Sequence, residues 1–228
     1  MQRTSTYALL IAVIALAQPP CRGEGPPDIV LVMTDDMGYS DLGCYGGEIE
    51  TPHLDKLAAG GLRFTNFYSE NMCWVSRAAM LTGVWHLTSF HRKGLHPRCV
   101  TIPEILRGGG YSTLMSGKWH LGDEDAYQPY NRGFSEVFIH GAGGIGQAYP
   151  GSCADFPPNR NKETRYFDIA ALHNDTIVKT EGFCTDVFFQ AALGWIRKQQ
   201  QAEKPFFAYI STNAPHGPMI APAKYKKR

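Results

Sequence analysis

Apolar and polar positions along the chain alternate between two rhythms. Residues 28–33 (Asp28-Ile29-Val30-Leu31-Val32-Met33) form a continuous β-branched run, and residues 206–211 form a second apolar run. Such runs predict strands buried on both faces, as in a parallel sheet. Residues 62–68 alternate and predict a further strand, and residues 111–116 predict another. Helical patterns fall between them. In residues 51–61, Thr51 is a good N-cap, Pro52 takes the first helical position, and Gly60-Gly61 stop the helix. Residues 101–107 repeat that logic, with Glu104 completing a capping box and three glycines following. Asn71 to Gly83 opens polar, places Cys73 at a helix start, and runs apolar to a closing glycine. Residues 185–200 predict an amphipathic helix whose core face is Val187, Phe188, Ala191, Ala192, Trp195 and Ile196. The expected fold is therefore α/β, a mostly parallel central sheet flanked by helices. Residues 123–181 are aromatic, glycine-rich and irregular, which predicts a decorated loop at a pocket mouth. They contain the glycosylation sequon Asn174-Asp175-Thr176.

The N-terminus breaks this pattern. Arg3, an apolar run from Tyr7 to Ala17, and Ala15-Leu16-Ala17 read as a secretory signal peptide over residues 1–17, extending to about 25. The run is too short to span a bilayer. The folded domain is expected over residues 26–228, in a periplasmic, extracellular or lumenal compartment. A hydrophobic fraction of 43% with 19% charged residues is ordinary for a globular protein. The net charge of +1 gives no basic excess for nucleic acid. Six cysteines occur without a CxxC pair, which argues against a zinc ribbon. With Cys73 set apart, Cys44, Cys99, Cys153 and Cys184 allow three disulfide connectivities, and the spacing does not choose among them.

Candidate chemistry follows the strands. Asp35-Asp36 ends the first, where open α/β sheets bind ligands, and paired carboxylates suit a hard cation. Taken alone, the pair also reads as a capped, solvated turn. Cys73 stands where helix N–H groups favour an anion, with Ser76 and Arg77 close behind. Lys118 and His120 follow the third strand on a glycine-flanked loop, and read equally as a surface lysine beside a packed histidine. His216 lies between two prolines after the last strand, and alone it is a turn histidine. In a parallel sheet these four loops share one edge. Their inventory (a cation site, a nucleophile at a helix start, lysine and imidazole) suits a tetrahedral oxyanion ester, sulfate or phosphate.

At this point the sequence resembles the sulfatase family, of the alkaline-phosphatase-like superfold, from Pro27 onward. The likeness rests on residues 28–36, Thr51-Pro52-His53-Leu54-Asp55, the Cys73 stretch, residues 110–120, and Pro215-His216-Gly217-Pro218. It implies hydrolysis of sulfate esters, on sulfated carbohydrates, with Cys73 converted to formylglycine by a maturation enzyme. It implies Ca²⁺ held by Asp35, Asp36 and the modified residue 73. It also implies that Arg77 stabilises the hydrated aldehyde, Lys118 and His120 hold the hydrate and the sulfate, and His216 stands near the ester oxygen. Two departures accompany the likeness. Val75 stands where the family signal Cys-x-Pro-Ser-Arg has proline. The later Asp-Asn metal pair and second lysine of the family have no counterpart. The expectation is thus the N-terminal part of a sulfatase domain, incomplete at its C-terminus. Two alternatives are a phosphodiesterase or phosphonate hydrolase of the same superfamily, and an inactive relic.

Overall fold

The structure is a computed structural model that describes residues 25–91, 94–122, 124–141, 143–145, 161 and 163–226. The expected signal peptide, Cys21 and Cys153 lie outside the described residues. In chain order the elements are β1 (Ile29–Asp35), α1 (Pro52–Gly60), α2 (Cys73–Thr82), α3 (His86–Ser89), β2 (Phe90–His91), β3 (Gly94–Leu95), α4 (Ile102–Gly108), β4 (Ser112–Lys118), β5 (Glu136–His140), β6 (Ala170–His173), β7 (Thr176–Lys179), α5 (Cys184–Gln201) and β8 (Phe206–Pro215), with short 3₁₀ turns between them. One six-stranded sheet runs β1-β8-β4-β5-β6-β7, while β2 and β3 form a separate hairpin. The first four strands of the sheet are parallel, and β6 and β7 close it antiparallel. The α/β expectation holds.

The core lies on both faces of β8. Phe207 and Tyr209 point with Met115, Val137 and Ile139 toward Ala78 and Leu81 of α2. Phe206, Ala208 and Ile210 point with Leu114 toward Ala192 and Trp195 of α5. This period-two split explains why β8 is the strand buried on both sides. Strand β1 is not, contrary to the sequence expectation. It pairs only with β8, and Val30 and Val32 remain 50% and 48% exposed while Ile29, Leu31 and Met33 pack inward. An apolar run of this kind marks a strand but does not say how many neighbours cover it.

Two further corrections concern segment type. Residues 62–68 form no strand, and Leu62, Phe64, Phe67 and Tyr68 stand exposed. Their alternation is real, but no neighbouring strand takes up their backbone groups. Conversely, the stretch 123–181 is not simply irregular, because it supplies β5, β6 and β7. Its strands are short, four or five residues each, so no periodic signal builds up.

The capping prediction holds at Thr101. Thr101 Oγ1 accepts from Glu104 N at 3.3 Å and Glu104 Oε2 accepts from Thr101 N at 2.7 Å. Thr51 does something different. Its hydroxyl accepts from Gly43 N at 2.9 Å and donates to Asp55 at 2.8 Å, while Asp55 also accepts from Cys44 N at 2.7 Å. The Thr51–Asp55 motif is therefore a latch that ties α1 to the preceding turn. Cys44, Cys99 and Cys184 carry no disulfide. Burial pushes the Cys184 thiol up to about 12, which leaves it inert.

Gly117 sets the end of β4. Its φ is +105°, and a Cβ there would sit 1.8 Å from the Ser211 carbonyl oxygen of β8. Strand β4 can approach β8 this closely only with glycine. Gly117→Ala should cost about 3 kcal/mol or more. Urea unfolding of the variant checks this, and a change below about 1 kcal/mol would show that the strand ends are not tightly fixed.

Candidate active site

The carboxyl ends of β1, β8 and β4 meet at one edge of the sheet, as the strand-end argument requires. Asp35 is the last residue of β1 and only 2% exposed. Its carboxylate is paired with Lys118 Nζ on one oxygen and lies 3.4 Å from an Arg77 guanidinium nitrogen on the other. Lys118 is the last residue of β4 rather than part of the loop after it, and it is fully buried. Arg77, in the second turn of α2, is also fully buried. It donates to the Lys118 carbonyl at 3.2 Å, to the Tyr209 hydroxyl at 3.1 Å, and to the Ser211 hydroxyl. Its contacts thus brace Asp35 and Lys118. Two buried cations share one carboxylate, so the edge is electropositive.

Cys73 opens α2 at its N-terminal end, beside a loop rather than after a strand. Its Sγ lies 3.4 Å from His120 Nδ1. Trp74 packs edge-on against the His120 ring, with centroids 5.5 Å apart. His120 has a left-handed backbone, φ +55°, and its N–H donates to the Gly141 carbonyl at 3.1 Å. Burial, with Lys118 and Arg77 adding to it, pulls the His120 pKa from 6.5 down to about 3. Its imidazole is therefore neutral at ordinary pH, a hydrogen-bond partner and not a cation.

Asp36 also takes a left-handed backbone, φ +61°, which turns it away from its neighbour's burial. Its side chain is exposed, and Oδ2 stands 3.7 Å from His216 Nε2. His216 Nδ1 lies 2.7 Å from the Gly217 carbonyl oxygen, and the Tyr166 hydroxyl donates to the His216 and Gly217 carbonyls at 3.3 and 3.2 Å. The seven predicted residues thus fall into three adjoining groups: Asp35 with Lys118 and Arg77, Cys73 with His120, and Asp36 with His216. A cleft of about 220 Å³ is lined by residues 33–37, 69–73 and Ser76. Ser76 itself bonds the Glu70 and Met72 carbonyls, at 3.1 and 2.9 Å, and shapes the loop that leads to Cys73.

Several residues of this edge escaped the sequence reading. Tyr209 and Ser211 hold Arg77 from within β8. His140 ends β5 in register with Lys118, is fully buried, and stacks on Phe188. Burial, with Lys118 next in weight, holds its pKa well below the usual imidazole range. Asn213 of β8 is fully buried beside it. The polar run Ser211-Thr212-Asn213 at the end of an apolar strand was the available signal for β8. His140 carries none, because β5 is only five residues long and its stretch shows no period.

Asp35 and Asp36 do not by themselves make a calcium site. Asp35 is neutralised by two cations, and among the described residues no group of three His, Cys, Asp or Glu is arranged to hold a metal. Ca²⁺ takes about six to eight oxygens. Among the described residues no helix is long and apolar enough to cross a membrane.

Known proteins resemble this chain in sequence and fold. The pattern of the family described as Sulfatase matches residues 27–228. The dog N-acetylgalactosamine-6-sulfatase is 34% identical over 94% of this chain and 44% of its own length. The arylsulfatase of Klebsiella aerogenes is 32% identical over 89% of this chain and 46% of its own. Among solved structures, Ps i-CgsB in complex with k-i-k-neocarrahexaose superposes with a TM-score of 0.74 at 29% identity, over 88% of this chain and 48% of that one. BT4656, solved with D-glucosamine-2-N,6-O-disulfate, gives 0.67 at 30% identity over 84% and 35%. The chain therefore spans less than half the length of these relatives.

The two neutral histidines make stability depend on pH. The unfolded chain binds protons near pH 6.5 that the folded chain refuses until far lower pH. Their stabilising contribution is complete above about 6.5 and is lost as pH falls, by about 1.4 kcal/mol per unit for each histidine. Unfolding free energies at pH 7.5 and 5.5 should differ by about 3 kcal/mol from these groups. His120→Gln should remove about half of that difference. A flat profile between these pH values would contradict the burial of both rings.

Proposed function

The chain belongs to the sulfatase family, and we propose that it forms the nucleophile-bearing part of a sulfuric ester hydrolase acting on sulfated carbohydrates. The observation that carries this reading is the buried Lys118–Asp35–Arg77 triad set one step behind Cys73 and its neutral partner His120. The relatives' names add sulfated sugars as the substrate class.

Residue 73 is the proposed nucleophile after conversion to formylglycine. The site fits that side chain: position 73 faces the cleft at a helix start, with an imidazole nitrogen within reach. Once formed, the group offers an aldehyde hydrate as an oxygen nucleophile toward sulfur. The remaining roles belong to the surrounding residues. His120, neutral, orients residue 73 through Nδ1 as a hydrogen-bond partner. Lys118 supplies the positive charge that the sulfuryl oxygens meet as charge develops. Arg77 holds the Lys118 strand end and Asp35 in register. His216 stands at the open side, 3.7 Å from Asp36, where its ring is placed to donate to the leaving oxygen. Asp35 and Asp36 are proposed as this chain's share of a Ca²⁺ site whose other oxygens lie outside the described residues. Export by the N-terminal segment, and a formylglycine-generating enzyme as partner, complete the proposal.

Val75 tests the maturation step. It is the third residue of α2, and the first ladder bond of the helix comes from Ser76 N to Met72 O at 3.0 Å. The Val75 N–H therefore has no helical partner to lose, and proline is tolerated in a first turn. When the chain is co-expressed with a formylglycine-generating enzyme, mass spectrometry of the Cys73 peptide should show conversion, and Val75→Pro should raise the converted fraction. Only thiol or disulfide in both forms would refute the formylglycine mechanism. Preference of a converted, full-length form for aryl phosphate over aryl sulfate would favour the phosphodiesterase alternative.

Calcium gives a second check. Because Lys118 and Arg77 already occupy Asp35, titration calorimetry of the 228-residue chain should show no saturable Ca²⁺ binding below the millimolar range. Micromolar binding would show that the carboxylates are free to close a site unaided.

A further inference from the structure

Beside the cleft lies a group of side chains that the ester chemistry does not use. Glu70 lines the cleft, and its Oε2 is 2.8 Å from His86 Nδ1. The His86 ring is stacked on Trp85, with centroids 5.7 Å apart and planes 24° from parallel. Trp85 is 65% exposed, a large apolar ring turned to solvent. Its backbone is nonetheless fixed, because its carbonyl accepts from Thr88 N at 2.9 Å and from Ser89 N at 3.0 Å at the start of α3. Glu70 is fixed as well, through the Ser76 hydroxyl on its carbonyl. The result is a short ladder leading outward from the cleft: a carboxylate, an imidazole, and an exposed indole face on a rigid backbone.

We propose that Glu70, His86 and Trp85 form a saccharide-binding subsite that takes a pyranose ring of the substrate next to the esterified one. A pyranose presents an apolar C–H face and a rim of hydroxyls. The indole face covers the first at low entropic cost, since the ring is already held. The Glu70 carboxylate accepts from two hydroxyls, and His86 supplies a donor or acceptor beside it. A sulfated sugar would suit this group less well than an unsulfated one, because Glu70 opposes a second anion. The subsite therefore selects a neutral ring at this position. The inference rests on the carbohydrate sulfatase reading, but its test does not need turnover.

The probe is an unsulfated galactan hexasaccharide, titrated into the 228-residue chain and followed by calorimetry and by the tryptophan indole N–H signals in NMR. The Trp85 signal, assigned through Trp85→Phe, is expected to shift on titration, while those of the buried Trp119 and Trp195 stay in place. Trp85→Ala should weaken binding at least about fivefold. Trp85→Phe should lose less than that, and Glu70→Gln should weaken binding about threefold or more. Trp85 lies at the surface and Glu70 is half-buried, and unchanged melting temperatures would show that the variants fold. Absent binding, or binding indifferent to Trp85→Ala, overturns the subsite. Conversion of Cys73 is measured separately, so a failure here is distinguishable from failure of the sulfatase reading.

Discussion

The buried carboxylate of Asp35, shared by Lys118 and Arg77, is the constraint on which the rest of the site depends. All three groups are withdrawn from water, which is costly unless each finds partners. The fold supplies them from three elements: Asp35 from β1, Lys118 from β4, and Arg77 from α2, with Tyr209 and Ser211 of β8 filling the remaining side of the guanidinium. Removing Asp35 would leave both cations unpaired in the interior, at a typical cost of about 3–5 kcal/mol. The triad thus fixes the register of the strand ends and the depth of α2. It also leaves one cation in excess at this strand edge, which favours an anion there.

Around that fixed centre the chain places its reactive groups with backbone conformations that side-chain-bearing residues seldom adopt. Asp36 and His120 both have positive φ. Such residues cost of order 1–3 kcal/mol each and persist where surrounding bonds impose them. For His120 the imposing bond is known: its N–H is tied to Gly141 just past the end of β5. The turn swings its ring back toward Cys73 instead of letting it follow Lys118 into the interior. For Asp36 the same turn separates two adjacent carboxylates, one to the buried triad and one to His216. Two neighbouring aspartates are therefore not equivalent, and the inequivalence is set by backbone geometry.

Much of this was legible in the sequence, and the gaps have physical causes. The strand and helix starts with strong local signals, β8, α4 and α5, lie where their patterns place them, and all seven candidate residues gather at one edge. What local pattern cannot carry is the number of neighbours a strand acquires. Hence the apolar run of β1 predicts burial on both faces that one neighbour does not give, and the alternation of residues 62–68 predicts a strand that no neighbour pairs. Short strands in a long polar stretch carry no period, so β5 to β7 and with them His140 were missed. The role of Arg77 shows a different gap. Spacing places it one turn from Cys73, but only the tertiary structure shows its guanidinium bound to Lys118, Tyr209 and Ser211.

The position of Val75 gains its meaning from α2. Residues 73–77 cover just over one helical turn, so their side chains cannot all face one way. In the folded chain Val75 is 5% exposed and Arg77 fully buried, while Cys73 is only partly covered. A converting enzyme that reads the cysteine, residue 75 and the arginine together finds at most one of them on the folded surface. Recognition of the set requires the segment outside its helix, before α2 docks on the sheet. A proline at residue 75 would act mainly on that undocked state, by restricting φ and favouring an extended residue before it. Valine, stiff in its side chain but free in its backbone, keeps the docked helix intact and leaves the undocked segment less ordered. The departure from the family signal therefore bears on how readily the proposed conversion of residue 73 would occur, while the architecture around Asp35 stands unaltered.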